Sequence, residues 1–337
     1  MKINYFLKYL MAALFAASIT VSGVNAETLR IGGVLPTGVE NAWSGTYVES
    51  LQRVKAAKPH GLDIEFTNSE GVWANDALVA MEQYAAQGYD IVWGHSSYPD
   101  AVEELKDEFP DTLFVLVGSG NQAFGDNAYL VYTHIHEPAY LGGVFAASES
   151  KKGVLGVVGL FPADDINDQV NGFRAGAQSI NPNVKVKVTF IESWYDPVKA
   201  AEAANAQIAA GADIIFQLGE SFETCREAGI MCIGNYRDES KSAPDVVPVS
   251  VMVSWEPHLN YIIDEWKKHK DSGNAYAAPK EPVWFTMAQG SGSLSPVSAK
   301  FTDKVSSETI AAVSAARDAI LSGDLTVELN MSLPVSD

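Results

Sequence analysis

The sequence predicts an α/β protein of two similar lobes, each a parallel β-sheet with helices on both faces. Three observations carry this. Apolar runs of strand length alternate with helical patterns from residue 29 onward; continuous apolar strands separated by helices indicate a sheet buried on both sides. The alternation restarts near residue 138. Finally, Ala86-Gln87-Gly88-Tyr89-Asp90-Ile91-Val92-Trp93 resembles Ala209-Ala210-Gly211-Ala212-Asp213-Ile214-Ile215-Phe216. Each reads as a helix end, a glycine at the cap, an aspartate and a buried strand. A duplicated lobe accounts for both the restart and the match.

In the first half, strands are expected over 29–35, 62–68, 91–93 and 112–117, with helices over 44–57, 74–87 and 100–108. The second half opens with a small-residue helix over 138–148. Strands follow at 153–159, 184–191, 214–217 and 231–233, with a helix over 168–180. Asp196 caps one more helix, with Pro197 at its first position. The tail adds a helix at 256–270, a strand near 283–287 and an amphipathic helix at 307–321. If the chain crosses back after Asn235, the first lobe comprises 27–135 plus about 237–280. The second then comprises 136–236 plus about 281–337.

A chain of 337 residues, 47% hydrophobic and 19% charged, holds about two domains and a sizeable core. Its 23 basic against 42 acidic residues give a net charge of -19. That balance repels phosphate backbones and anionic membranes, so nucleic acid is not an expected partner. Residues 1–26 read as a secretory signal peptide: Lys2 and Lys8 bracket a basic start, an apolar run covers 9–21, and Val24-Asn25-Ala26 ends it. The run is short for a membrane span, which needs roughly 20 apolar residues. Cleavage after Ala26 removes two lysines and takes the charge from -19 to -21. The mature protein is expected in the periplasm, where Cys225 and Cys232, flanking a turn at Gly229, form either a bridge or two buried thiols.

In open parallel sheets, ligands sit beyond the carboxyl ends of the strands. With two lobes facing each other, the cleft between them is the natural site. Asn41 and Trp43 follow the first strand, His95 and Ser96 the strand at 91, and Ser119 the strand at 112. In the second half Trp194, Asn235 and Asp238 stand after strands, and Trp255 precedes a helix. Small, polar and aromatic ends of this kind would stack a flat ring between indoles and hydrogen-bond its edge. Enzyme motifs are missing: no Gly-x-Ser-x-Gly elbow, no dinucleotide glycine pattern after the first strand and no phosphate loop. His134-Ile135-His136-Glu137 would set two imidazoles on one face of a strand, read here as a solvated or packed pair and not as a metal site. Asp164, Asp165 and Asp168 are read as a solvated acidic loop. No catalytic residue, metal or cofactor is expected.

Several segments resemble the basic membrane protein (Bmp) family of substrate-binding proteins. They are Glu137-Pro138-Ala139-Tyr140-Leu141-Gly142-Gly143, Lys152-Gly153-Val154-Leu155-Gly156-Val157-Val158-Gly159, Val170-Asn171-Gly172-Phe173-Arg174-Ala175-Gly176-Ala177, and Thr189-Phe190-Ile191-Glu192-Ser193-Trp194-Tyr195-Asp196-Pro197. The resemblance implies a type I periplasmic binding fold, an ABC permease in the inner membrane as partner, and a monomer that binds a purine nucleobase or nucleoside. Riboflavin, a sugar, or a sensory receptor role on the same fold are the alternatives. In such nucleoside binders an aromatic of the first loop stacks on the base, the place of Trp43. An aspartate after a second-lobe strand holds the ribose, and Asp238 is the candidate, although Asn235-Tyr236-Arg237 departs from the usual acidic pattern.

Overall fold

The computed structural model describes residues 26–337; residues 1–25, all but the last of the expected signal peptide, lie outside the described residues. The first lobe runs β1 (Thr28–Val34), α1 (Ala42–Ala57), β2 (Asp63–Ser69), α2 (Ala74–Ala86), β3 (Ile91–Gly94), α3 (Pro99–Leu105), β4 (Leu113–Val117) and β5 (Ala128–Thr133). The second runs α4 (His136–Glu149), β6 (Val154–Gly159), α5 (Asp164–Ile180), β7 (Lys185–Phe190), α6 (Pro197–Ala209), β8 (Ile214–Gln217), α7 (Glu223–Ala228), β9 (Met231–Tyr236) and β10 (Ser250–Val253). Helix α8 (Glu256–Ser272) and strand β11 (Val283–Phe285) return to the first lobe. Strand β12 (Gly292–Leu294) and helix α9 (Ser307–Ser322) finish in the second.

Two six-stranded sheets result, ordered β2-β1-β3-β4-β5-β11 and β7-β6-β8-β9-β10-β12. The orders match position for position, with β3 opposite β8 as the internal sequence match predicts. All pairings are parallel except β10 with β12. Strands β3, β4 and β8 are buried along their whole length, which is why they read as continuous apolar runs.

The expected lobe boundaries need one correction. Ser250–Val253 pairs with β9 in the second sheet, and Val283–Phe285 pairs with β5 in the first. The physical reason is that Val249, Val251 and Val253 are buried on one face and Ser250 on the other, cover that the interior of a sheet supplies. Crossings therefore lie at residues 134–135, 254–255 and 286–291. They are tied to one another: Ser254 donates its N–H to the Ser291 carbonyl at 2.8 Å, and His134 to that of Phe285 at 2.8 Å.

Local chemistry fixes the helix starts. Asp196 accepts from the Lys199 N–H at 3.0 Å, with Pro197 next in the chain. Helix α5 begins at Asp164, four residues earlier than its apolar pattern suggests, so Asp164 and Asp165 form a helical first turn and not a loop. Helices α4 and α5 pack at backbone contact. A Cβ on Gly143 would lie 1.9 Å from the Phe173 carbonyl oxygen, and one on Gly176 1.9 Å from that of Tyr140. The glycines in two of the quoted segments thus let two helices touch. Cys225 of α7 and Cys232 of β9 are joined in a disulfide with Cα atoms 6.0 Å apart. Among the described residues no helix is long and apolar enough to cross a membrane.

Candidate functional site

A cavity lies between the carboxyl ends of the two sheets. The first lobe brings an aromatic platform held from behind. Asn41 caps α1, its side-chain oxygen accepting the Trp43 N–H at 3.1 Å, so the indole leaves the first turn toward the cleft. The indole Nε1–H then donates to the His95 carbonyl at 2.8 Å. His95 is fully buried, stacked on Trp43 at 4.8 Å between ring centres. Burial holds its imidazole at about 3, far below the usual value, so the ring is neutral. Its Nδ1 accepts from Trp93 Nε1–H at 3.1 Å, which leaves the proton on Nε2, 3.1 Å from the Trp43 carbonyl. Trp43 is therefore clasped twice to one residue.

Ser96, Ser97 and Ser119 line the same wall. So does Gly118, whose φ of 80° suits glycine; a Cβ there would stand 3.3 Å from an Asp165 carboxylate oxygen.

The second lobe brings carboxylates. Asp165, in the first turn of α5, faces the Ser119 N–H across the cleft at 3.4 Å. Burial, and then the neighbouring Asp164, push its carboxyl up to about 6. Glu220, after β8, reaches the first lobe: one oxygen accepts from Asn41 Nδ2 at 3.2 Å and from the Ala42 N–H at 3.1 Å. Burial raises its carboxyl above the ordinary range as well. Tyr236, at the end of β9, meets Trp43 edge-on at 5.1 Å. Glu220 and Tyr236 both adopt left-handed backbone, with φ of 56° and 63°. Such conformations cost energy in non-glycine residues and gather where the surrounding structure requires them. At the mouth stand Trp73, Trp194 and Tyr195, all exposed, with Trp194 against Phe161 at 5.2 Å.

Of the residues singled out from sequence, Asn41, Trp43, Ser96, Ser119 and Trp194 line the cavity. Four others do not. His95 lies behind Trp43, where the clasp buries it. Asn235 is buried in the second lobe, its side chain bonded to Gln169. Asp238 turns away to cap a short turn, accepting from the Ser240 N–H at 3.2 Å, and borders an outer groove instead. Trp255 stands at the N-cap position of α8, 1% exposed, its Nε1–H donating to Thr46 Oγ1 at 3.2 Å, and lines a small adjoining cavity beneath Trp43 and Tyr236. Asp165, Glu220, Tyr236, Trp73 and Tyr195 were missed. Glu220 and Tyr236 obey the same strand-end rule as Trp43, and extending that rule to β6 points to Asp165.

The two histidines are not on one strand face, because β5 ends at Thr133 and His136 opens α4. Donor atoms of His134, His136 and Glu137 lie within 4.8 Å of one another. They are engaged in the crossing: His136 Nδ1 meets Asp168 at 2.7 Å, and Glu137 accepts the Met287 N–H.

A family profile described as "ABC transporter substrate-binding protein PnrA-like" (Bmp) matches residues 39–278. A purine-binding protein of Brucella abortus is 31% identical over 275 residues, 80% of this chain and 76% of that protein. A putative ABC transporter glucose-binding protein of Haloferax volcanii is 27% identical, over 90% of this chain and 74% of its own length. A solved solute-binding protein of an ABC transporter system from Conexibacter woesei superposes with a TM-score of 0.70 at 20% identity, covering 89% of this chain and 98% of that one. At that identity the likeness concerns the type I periplasmic binding fold.

Proposed function

This chain belongs to the PnrA-like Bmp family of ABC-transporter substrate-binding proteins, and from that premise we propose that it carries a purine nucleobase in the cleft between its lobes. Members of the family are solute-binding proteins, not enzymes, and deliver small molecules to permease subunits. They work on the outer side of the cytoplasmic membrane. The protein acts as a monomer whose hinge closure buries the ligand and whose closed form docks on the permease.

The observation that carries the ligand is the Trp43 platform. A neutral imidazole stacks behind it at 4.8 Å, two hydrogen bonds fix it, and two carboxylates stand in the same cavity. A rigid indole gives a flat ring a stacking surface, and carboxylates accept from N–H groups on its edge. A bare sugar, the cargo in the Haloferax relative's name, would leave the platform without a planar partner. The nucleobase is favoured over the nucleoside because Asp238, the expected ribose contact, borders the outer groove.

Thermal shift and calorimetry against purine bases, nucleosides, riboflavin and monosaccharides test this. A purine base at about 100 times its dissociation constant should add roughly 2.7 kcal/mol of stability. Trp43→Ala should weaken that base by about 1–3 kcal/mol, the range for a lost stacking aromatic. Stabilisation by sugars alone, or a Trp43→Ala protein of unchanged affinity, would overturn the reading.

A further inference from the structure

The cavity's charge is one-sided. Asp165 and Glu220 line it, and among its lining residues there is no lysine, arginine or histidine. Among the described residues neither carboxylate takes part in an ion pair. Asp165 accepts from neutral groups, the Ile166 N–H at 2.9 Å and Ser119, whose N–H stands at 3.4 Å and whose hydroxyl is also close. Glu220 uses one oxygen for Asn41 and Ala42 and keeps the other for a further donor. A desolvated carboxylate is an acceptor that seeks donors, and burial pushes both acids upward, offset in part by Ser119 at Asp165 and by Ala42 and the nearby Arg237 at Glu220. Both come from one lobe, so they face a ring stacked on Trp43 from the same side.

We propose that Asp165 and Glu220 make this cleft selective for amino-substituted purines and exclude oxo-rich and anionic ones. The inference rests on the purine reading above. An exocyclic amino group presents N–H donors to a carboxylate, and 2,6-diaminopurine carries two such groups, one for each acid. An oxo group at the same position turns a donor into an acceptor and sets its lone pairs against the carboxylate. Xanthine places an oxo group on each side of its N1–H. It also ionises near neutrality, and no cation in the cavity would meet that charge. Phosphorylated forms fail for the same reason. The neutral backbone donors of the first lobe are already turned toward the two acids, so closure presents the ligand with acceptors.

The test compares 2,6-diaminopurine, 2-aminopurine, adenine, hypoxanthine and xanthine by calorimetry on the mature protein, on Asp165→Asn and on Glu220→Gln. Both substitutions keep shape and exchange an acceptor oxygen for a donor amide, and melting curves confirm that the variants fold. Wild type should hold 2,6-diaminopurine about 10- to 100-fold tighter than hypoxanthine, the worth of one hydrogen bond to a charged group. Xanthine should be weakest. In at least one variant the gap should shrink to about threefold or less. Hypoxanthine or xanthine binding wild type as tightly as 2,6-diaminopurine would overturn the proposal, as would a gap unchanged in both variants. Each of those outcomes leaves a purine binder with its selectivity elsewhere. Binding of no purine at all, with a monosaccharide bound instead, would fell the purine reading itself.

Discussion

At the end of β3 the first lobe presents Ser96 and Ser97 above a buried His95. At the equivalent end of β8 the second lobe presents Leu218, Gly219 and Glu220. After β4 come Gly118 and Ser119; at the end of β9 comes Tyr236. The scaffold positions are the same and the chemistry is opposite. The first lobe supplies a fixed ring and N–H donors, and the second supplies acceptors. Strain is divided in the same way. In the second lobe Glu192, Glu220 and Tyr236, at the ends of β7, β8 and β9, all have left-handed backbone. The first lobe's non-glycine examples, Lys58, His60 and Asp126, sit in turns that lead into strands, at the far end of the sheet. The two lobes thus differ at their strand ends and first helical turns, where side chains change without disturbing the sheet. One lobe became a relaxed platform and the other a strained rim.

The largest effect that would break this comparison comes from the platform. His95→Ala removes the partner of Trp93 Nε1–H, the donor to the Trp43 carbonyl and the ring behind the Trp43 indole. Each buried group left unpaired costs roughly 1–3 kcal/mol, so chemical denaturation should show a loss of several kcal/mol together with weakened ligand. A stable variant with unchanged affinity would mean the clasp does not set the platform.

Reducing the bridge between Cys225 and Cys232 should act on the second lobe alone. A loop of about this size contributes roughly 2–3 kcal/mol on the chain-entropy account. Dithiothreitol should therefore lower the melting temperature while calorimetry reads the same affinity, since neither cysteine borders the cavity.

The smallest effect concerns acidity. The Asp165 carboxyl is raised to about 6 by burial, above its unfolded value. A raised carboxyl favours the protonated folded state, so its contribution to stability is present below the unfolded pKa and lost as pH rises through about 6. Relative to Asp165→Asn, the ligand-free wild type should gain melting temperature from about pH 7 to about pH 5. Ligand affinity should move the other way, because only the ionised form accepts freely. Parallel pH profiles for the two proteins would show that Asp165 titrates normally.

Much of this is legible in the sequence alone. Apolar runs bounded by glycine located most strands, and the repeated Ala-x-Gly-x-Asp turn located the duplication. Strands β5, β10 and β12 escaped; the last two span four and three residues and carry serine and glycine in place of a continuous apolar run. In the site, Trp43 and Trp194 were legible because a large aromatic beyond a strand end has no core to fill. Asp165 was not, since an acidic helix start and a solvated acidic loop read alike.

By itself the sequence determined the two-lobed α/β class, the cleft and its aromatic character, because periodicity and strand-end chemistry are local properties of the chain. Tertiary structure decided which strand-end residues face the cleft. His95, Asn235, Asp238 and Trp255 satisfy the strand-end rule or border it, yet their hydrogen bonds are met inside one lobe or at its outer edge. Glu220 finds its donors across the gap, and Asp165 finds one there besides its neighbour Ile166. Whether a polar side chain is satisfied by its own lobe or turned toward the other depends on partners far away in sequence, and folding alone brings those within reach.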